Sequence, residues 1–82
     1  MSYLRGGVEY LDADDRAVYG AVIRLNRQGR TTNNSQIASY SGLSRTKVGQ
    51  LTAGLRRRGY LKDVSKGAAY HWRTTDKEVH YG

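Results

Sequence analysis

The residues able to do covalent or metal chemistry are few and badly placed for it. His71 and His80 are the only imidazoles, and neither has a carboxylate or a second ligand at metal-binding spacing. The absence of cysteine removes thiolate nucleophiles, thiolate metal sites and disulfides together. Asp12, Asp14 and Asp15 are the densest acidic group. They precede an apolar-periodic stretch, where acids suit the positive end of a helix, so helix-start chemistry explains them. The ten glycines build no phosphate-cradling loop. No catalytic residue, metal site or cofactor is assigned, and no small-molecule ligand is evident.

The chemistry left to the chain is that of its cations. Lys and Arg number 14 against 7 Asp and Glu, a formal net charge of +7. Residues 24 to 73 hold Arg24, Arg27, Arg30, Arg45, Lys47, Arg56, Arg57, Arg58, Lys62, Lys66 and Arg73, with Asp63 as the one acid among them. The other acids gather at the two ends. Isolated lysines and arginines usually mean no more than a solvated surface. A basic segment that excludes acids is instead the footprint of a polyanionic partner, most often nucleic acid.

Size narrows the field further. The 82 residues make one domain, 38% hydrophobic, and a domain of this size buries only about 60% of its unfolded surface. That is too little for a deep cofactor pocket. No apolar run approaches the roughly 18 residues of a membrane span, and the start of the chain lacks a charged-then-apolar leader. The expectation is no membrane segment and a cytoplasmic, nucleoid-associated protein.

The elements that must position the cations can be read from caps and periodicity. Residues 1–11 contain Gly6-Gly7 and read as an N-terminal arm or short strand. Asp12 caps a first helix over 13–28, where Ala17, Val18, Ala21, Val22 and Leu25 recur at helical spacing and Gly29 supplies the stop. Asn33 and Gln36 stand in capping-box relation and open a second helix over 34–41, with Ile37 and Ala38 inward and Gly42 after it. Ser44 caps a third helix over 45–58, with Val48, Leu51, Thr52 and Leu55 on one stripe. Tyr60–Val64 and Ala69–Arg73 read as a β-hairpin around a turn at 65–68. Thr75 with Glu78 caps a last helical turn, or 74–82 is a frayed tail. The fold class is α+β, mostly α, divided into an arm (1–11), a domain (12–73) and a tail (74–82).

Three helices followed by a hairpin, at these lengths, resemble the winged helix-turn-helix superfamily with a C-terminal two-stranded wing. The resemblance rests on Gln36-Ile37-Ala38 in the second helix, Gly42 at the tight turn, Leu43 in the core and Ser44 as cap. The buried stripe of the third helix and the arginine-rich approach to Gly59-Tyr60-Leu61 complete it. It is similar to the MarR, GntR and LexA type of regulator, and to the N-terminal domains of phage replication-organiser proteins. Ser41 departs from the pattern, since many members carry an apolar residue there. A Trp at the end of the wing also occurs in the Z-DNA-binding winged helices. Gly49 and Ala53 stand where that family has Asn and Tyr, and this chain has no proline for its wing, so that assignment is not made.

The resemblance implies double-stranded DNA as partner, with the third helix in the major groove. At about 100° per residue, Thr46, Gln50, Ala53 and Arg57 lie opposite the apolar stripe, with Arg45 and Gly49 beside them. Arg45 suits guanine and Gln50 adenine, while the Thr46 methyl or Ala53 meets a thymine methyl. Gly49 lets the helix backbone approach the base edges, or is merely a poor helix residue. Asn33, Asn34, Ser44, Lys47, Arg56, Arg57 and Arg58 are the candidate backbone contacts, which position without reading sequence. Lys66-Gly67 at the wing tip reaches a minor groove or phosphate, or is an ordinary solvated turn. Tyr70 and Trp72 cover the core, or stack on single-stranded bases.

The leading expectation is a small sequence-specific transcription regulator acting as a homodimer, because one winged helix reads only a few base pairs. Tyr3, Leu4, Val8, Tyr10, Leu11, Val79 and Tyr81 are the apolar residues left for the dimer contact. An origin-binding or excision factor of a phage or plasmid uses the same DNA chemistry. A winged helix serving protein–protein assembly is the alternative from another class, and the Arg56-Arg57-Arg58 run argues against it.

Overall fold

Local capping chemistry fixes where each helix begins. A computed structural model describes residues 3–5, 8–30, 32–64 and 71–79. Helix α1 spans Ala13–Arg27, and the Asp12 carboxylate accepts from the Asp15 backbone N–H at 2.9 Å. Helix α2 spans Asn34–Ser41 behind a complete capping box, with Gln36 N–H donating to Asn33 Oδ1 at 2.9 Å and Asn33 N–H to Gln36 Oε1 at 3.1 Å. Helix α3 spans Arg45–Arg57, and Ser44 Oγ accepts from the Lys47 N–H at 3.1 Å. Each cap satisfies a donor that the helix geometry leaves open, and is worth about 1 kcal/mol. Gly42, at φ 79°, makes the left-handed turn that swings the chain from α2 into α3.

The inward stripes then meet. Val18 and Val22 of α1, Ile37 of α2, and Val48 and Leu55 of α3 have no exposed surface. α1 packs on both α2 and α3, closing a three-helix core. Burial of each such side chain contributes about 1.5–3 kcal/mol.

Strands β3 (Leu61–Asp63) and β4 (Trp72–Thr74) form the antiparallel wing, in the register Leu61↔Thr74, Lys62↔Arg73 and Asp63↔Trp72. β3 lies against α3 and β4 against α1. Among the described residues the return strand runs one residue past the expected Arg73. Its last member is Thr74, because the Thr74 N–H donates to Asn26 Oδ1 of α1 at 3.3 Å. Asn26 Nδ2 also donates to the Trp72 carbonyl at 3.3 Å. The Trp72 N–H donates to Thr32 Oγ1 at 2.9 Å, and the Thr32 hydroxyl donates back to that same Trp72 carbonyl. The half-buried Asn26 and the buried Thr32 thus bolt the root of the wing in place.

Two features at the ends differ from the sequence reading. β1 (Tyr3–Arg5) pairs antiparallel with β2 (Val8–Tyr10), and among the described residues these two strands make a sheet of their own. The C-terminal stretch 75–79 is neither a helical turn nor frayed. The Thr75 N–H donates to the Tyr60 carbonyl at 3.1 Å and its hydroxyl to the Gly59 carbonyl, while Val79 packs on the core. Leu11 is 1% exposed, so it belongs to the core and leaves the set of dimer candidates, while Val79 is half-buried against that core.

Candidate nucleic-acid interface

α3 presents two unlike sides. Val48, Leu51, Thr52 and Leu55 are buried against α1, α2 and β3. On the other side Arg45, Thr46, Lys47, Gln50, Arg56 and Arg57 are exposed, and Gly49 and Ala53 are half-buried. The expected face is therefore turned to solvent. The two small residues sit on its flank rather than its crest. Gly49, Ala53, Arg56 and Arg57 line an open groove with Asn34 of α2 and Trp72 of β4. Arg57 also lines a neighbouring groove with Lys47, Gln50 and Gly54, so it stands on the ridge between the two.

The backbone-contact candidates divide into three groups. Arg56 and Arg57 are exposed in the last turn of α3, beside its carbonyl end, where cations are favoured. Lys47 is exposed and its Nζ stands 3.7 Å from Asp14, a loose surface pair that water and salt weaken. Asn33 and Ser44 are committed through their side-chain oxygens to capping, as above. Asn34 is held from two sides: the Trp72 indole N–H donates to its Oδ1 at 2.9 Å, and the Thr52 hydroxyl lies 3.4 Å from the same oxygen.

Arg58 corrects the sequence reading. It is the C-cap of α3 rather than its last residue, and its guanidinium turns inward, 3.3 Å from the buried Asp15 carboxylate. It also lies over the Tyr60 ring at 5.4 Å, while Lys77 covers the same ring at 4.4 Å. Tyr60 meets Tyr19 edge-on at 6.2 Å. Arg58 ties the end of α3 to the start of α1 and spends its guanidinium on that contact.

Other groups escaped the sequence. Lys62 and Arg73 face each other across the wing, both exposed. Like charges directly opposed destabilise a sheet, and among the described residues neither forms an ion pair. The signal was available in two basic strand residues, but only the register shows that they are opposed. The Tyr40 hydroxyl of α2 accepts from Arg24 of α1 at 3.3 Å, and this bond, reinforced by the charge interaction, raises the Arg24 pKa above its ordinary value. Lys66, Gly67 and Tyr70 lie outside the described residues. Trp72 is 4% exposed and belongs to the core, as the duller of its two readings has it.

Residues 23–65 match the family described as the IclR helix-turn-helix domain, a stretch covering more than half the chain from the second half of α1 through β3. The chain belongs to the IclR helix-turn-helix family. The match makes it a winged helix-turn-helix DNA-binding domain of a transcription-regulator type. The IclR helix-turn-helix is a DNA-binding unit rather than a catalytic one. It takes the place of the MarR, GntR and LexA types as the family to which the chain is referred. Neither the curated proteins nor the solved structures give a match. Among the described residues no helix of this IclR-type domain is long and apolar enough to cross a membrane.

Proposed function

We propose that the chain is a sequence-specific double-stranded DNA-binding transcription regulator that lays α3 in the major groove. The observation that carries this reading is the solvent-facing side of α3. Arg45, Thr46 and Gln50 stand in its first two turns and Arg56 and Arg57 in its last, opposite a fully buried stripe. Arg45, Thr46 and Gln50 are the base readers, with Gly49 and Ala53 leaving room beside them. Asn33, Asn34, Ser44, Lys47, Arg56 and Arg57 hold the phosphates on either side. The wing, with Lys66-Gly67 at its tip, lies along the backbone or the adjacent minor groove. A homodimer on a two-fold site extends the few base pairs that one domain reads.

Selection of bound duplexes from a random pool tests the proposal. The expected result is an enriched palindrome, with binding that weakens steeply as salt rises. Equal recovery of all sequences removes the claim of specificity. No binding to any duplex at low salt returns the protein–protein alternative. A site that proves to be an origin or excision sequence rather than a promoter moves the same chemistry to replication or recombination.

A further inference from the structure

The Asn34 amide is a group whose polarity is fixed by a partner far away in the chain. An amide can be turned over with little change of shape, and its neighbours decide which end is the oxygen. An indole N–H is a donor only, so the amide atom 2.9 Å from Trp72 Nε1 must be Oδ1. Nδ2 then faces the other way, into the open groove. It lies 3.8 Å from the point where a side chain on Gly49 would begin. Among the described residues Nδ2 has no acceptor. No acid lines the groove, and Arg56 and Arg57 do. A directed amide donor, guanidinium groups and an absent side chain make a seat for an anion.

We infer that this groove between α2, α3 and β4 seats one phosphate of the DNA backbone, with Asn34 Nδ2 and Arg56 as donors, Gly49 as the open floor, and Trp72 as the positioning residue that turns the amide toward it. The inference deepens the DNA-binding reading and rests on it. Gly49 and Ala53 lie on the flank of α3 toward α2 and the wing, where a groove's rim meets a protein, and Thr46 and Gln50 occupy the exposed crest. Gly49 is in this account a phosphate residue rather than a base reader. The wing contributes through Trp72 without touching DNA at that point.

The test uses a duplex selected from a random pool by the wild-type protein. Each phosphate is replaced in turn by an uncharged methylphosphonate. A hydrogen bond to a charged group is worth enough that losing the seated phosphate should cost about tenfold in affinity. Gly49→Ala adds a methyl in ordinary contact with Asn34 and improves the helix, so its thermal midpoint should rise while its affinity falls. Its sensitivity to that one methylphosphonate should vanish, and the other positions should keep theirs. Trp72→Phe keeps a ring in the core but loses the N–H, and should lose the same sensitivity. Asn34→Asp keeps an acceptor for the indole and sets a negative oxygen in the seat. Its affinity should fall more than in Gly49→Ala, and neutralising the seated phosphate should restore part of it. A wild type that binds, with every methylphosphonate profile unchanged in the three variants, overturns the seat and leaves the DNA reading standing. A wild type that binds no duplex overturns both.

Discussion

The last turn of α3 and the residue after it use the same side chain in opposite ways. Arg56 and Arg57 are exposed, with no carboxylate in the groove they share. Arg58, the next residue, has an acid at 3.3 Å and an aromatic ring at 5.4 Å, and its side chain keeps 22% of its exposure. Lys77 lies with Arg58, its ammonium over Tyr60. One part of a basic protein therefore consumes its cations in holding α1, α3 and the C-terminal stretch together. The other leaves them available to an outside anion. Net charge alone does not tell these two apart. A cation paired with a carboxylate adds little to the field outside the protein, whereas one without an acid beside it adds its full charge.

The sharpest way to break the contrast is to remove the buried acid. Asp15→Ala strands the Arg58 guanidinium and should destabilise the fold by about 3 kcal/mol, the low end for a buried pair because Arg58 is not fully enclosed. Urea unfolding measures this, and DNA affinity of the folded fraction should stay within about threefold. A stable Asp15→Ala protein with weakened binding would show that Arg58 belongs to the DNA-facing set after all. Next in size, Arg45→Ala or Gln50→Ala should lose about 1–3 kcal/mol of discrimination at one base pair with little change in stability, read from competition between the selected site and its single-base variants. Arg57→Ala should bind all sequences more weakly and lower the slope of log K against log salt by about 0.9, whereas Arg58→Ala should leave that slope alone. The smallest effect is expected at Lys77→Ala, which gives up a ring contact worth about 0.5–1 kcal/mol and should shift the urea midpoint only slightly.

What was legible in the sequence was what is settled locally. Asp12, Asn33 with Gln36, and Ser44 announce the helix starts because a cap involves atoms three residues apart. The stripe Val48, Leu51, Thr52, Leu55 announces which side of α3 is buried because the helix period is fixed. The pairing of Asp15 with Arg58 and of Asn34 with Trp72 was hidden, since partners 43 and 38 residues apart meet only when the elements pack. One part of the difference between Arg58 and its two neighbours follows from the helix period alone. Three successive helical residues fan through about 200°, so Arg56, Arg57 and Arg58 could not all face one duplex. The burial of Leu11 and the packing of Val79 have one origin: a short chain draws apolar residues from both ends to finish a small core.

Thr32 and Asn26 converge on the one Trp72 carbonyl, and this fixes the wing against the helices before any ligand arrives. A reader built this way cannot adjust its stride. If α3 and the wing grip a duplex as proposed, a single base pair inserted between their contacts would rotate one grip away from its track, and the double helix would have to untwist to keep both.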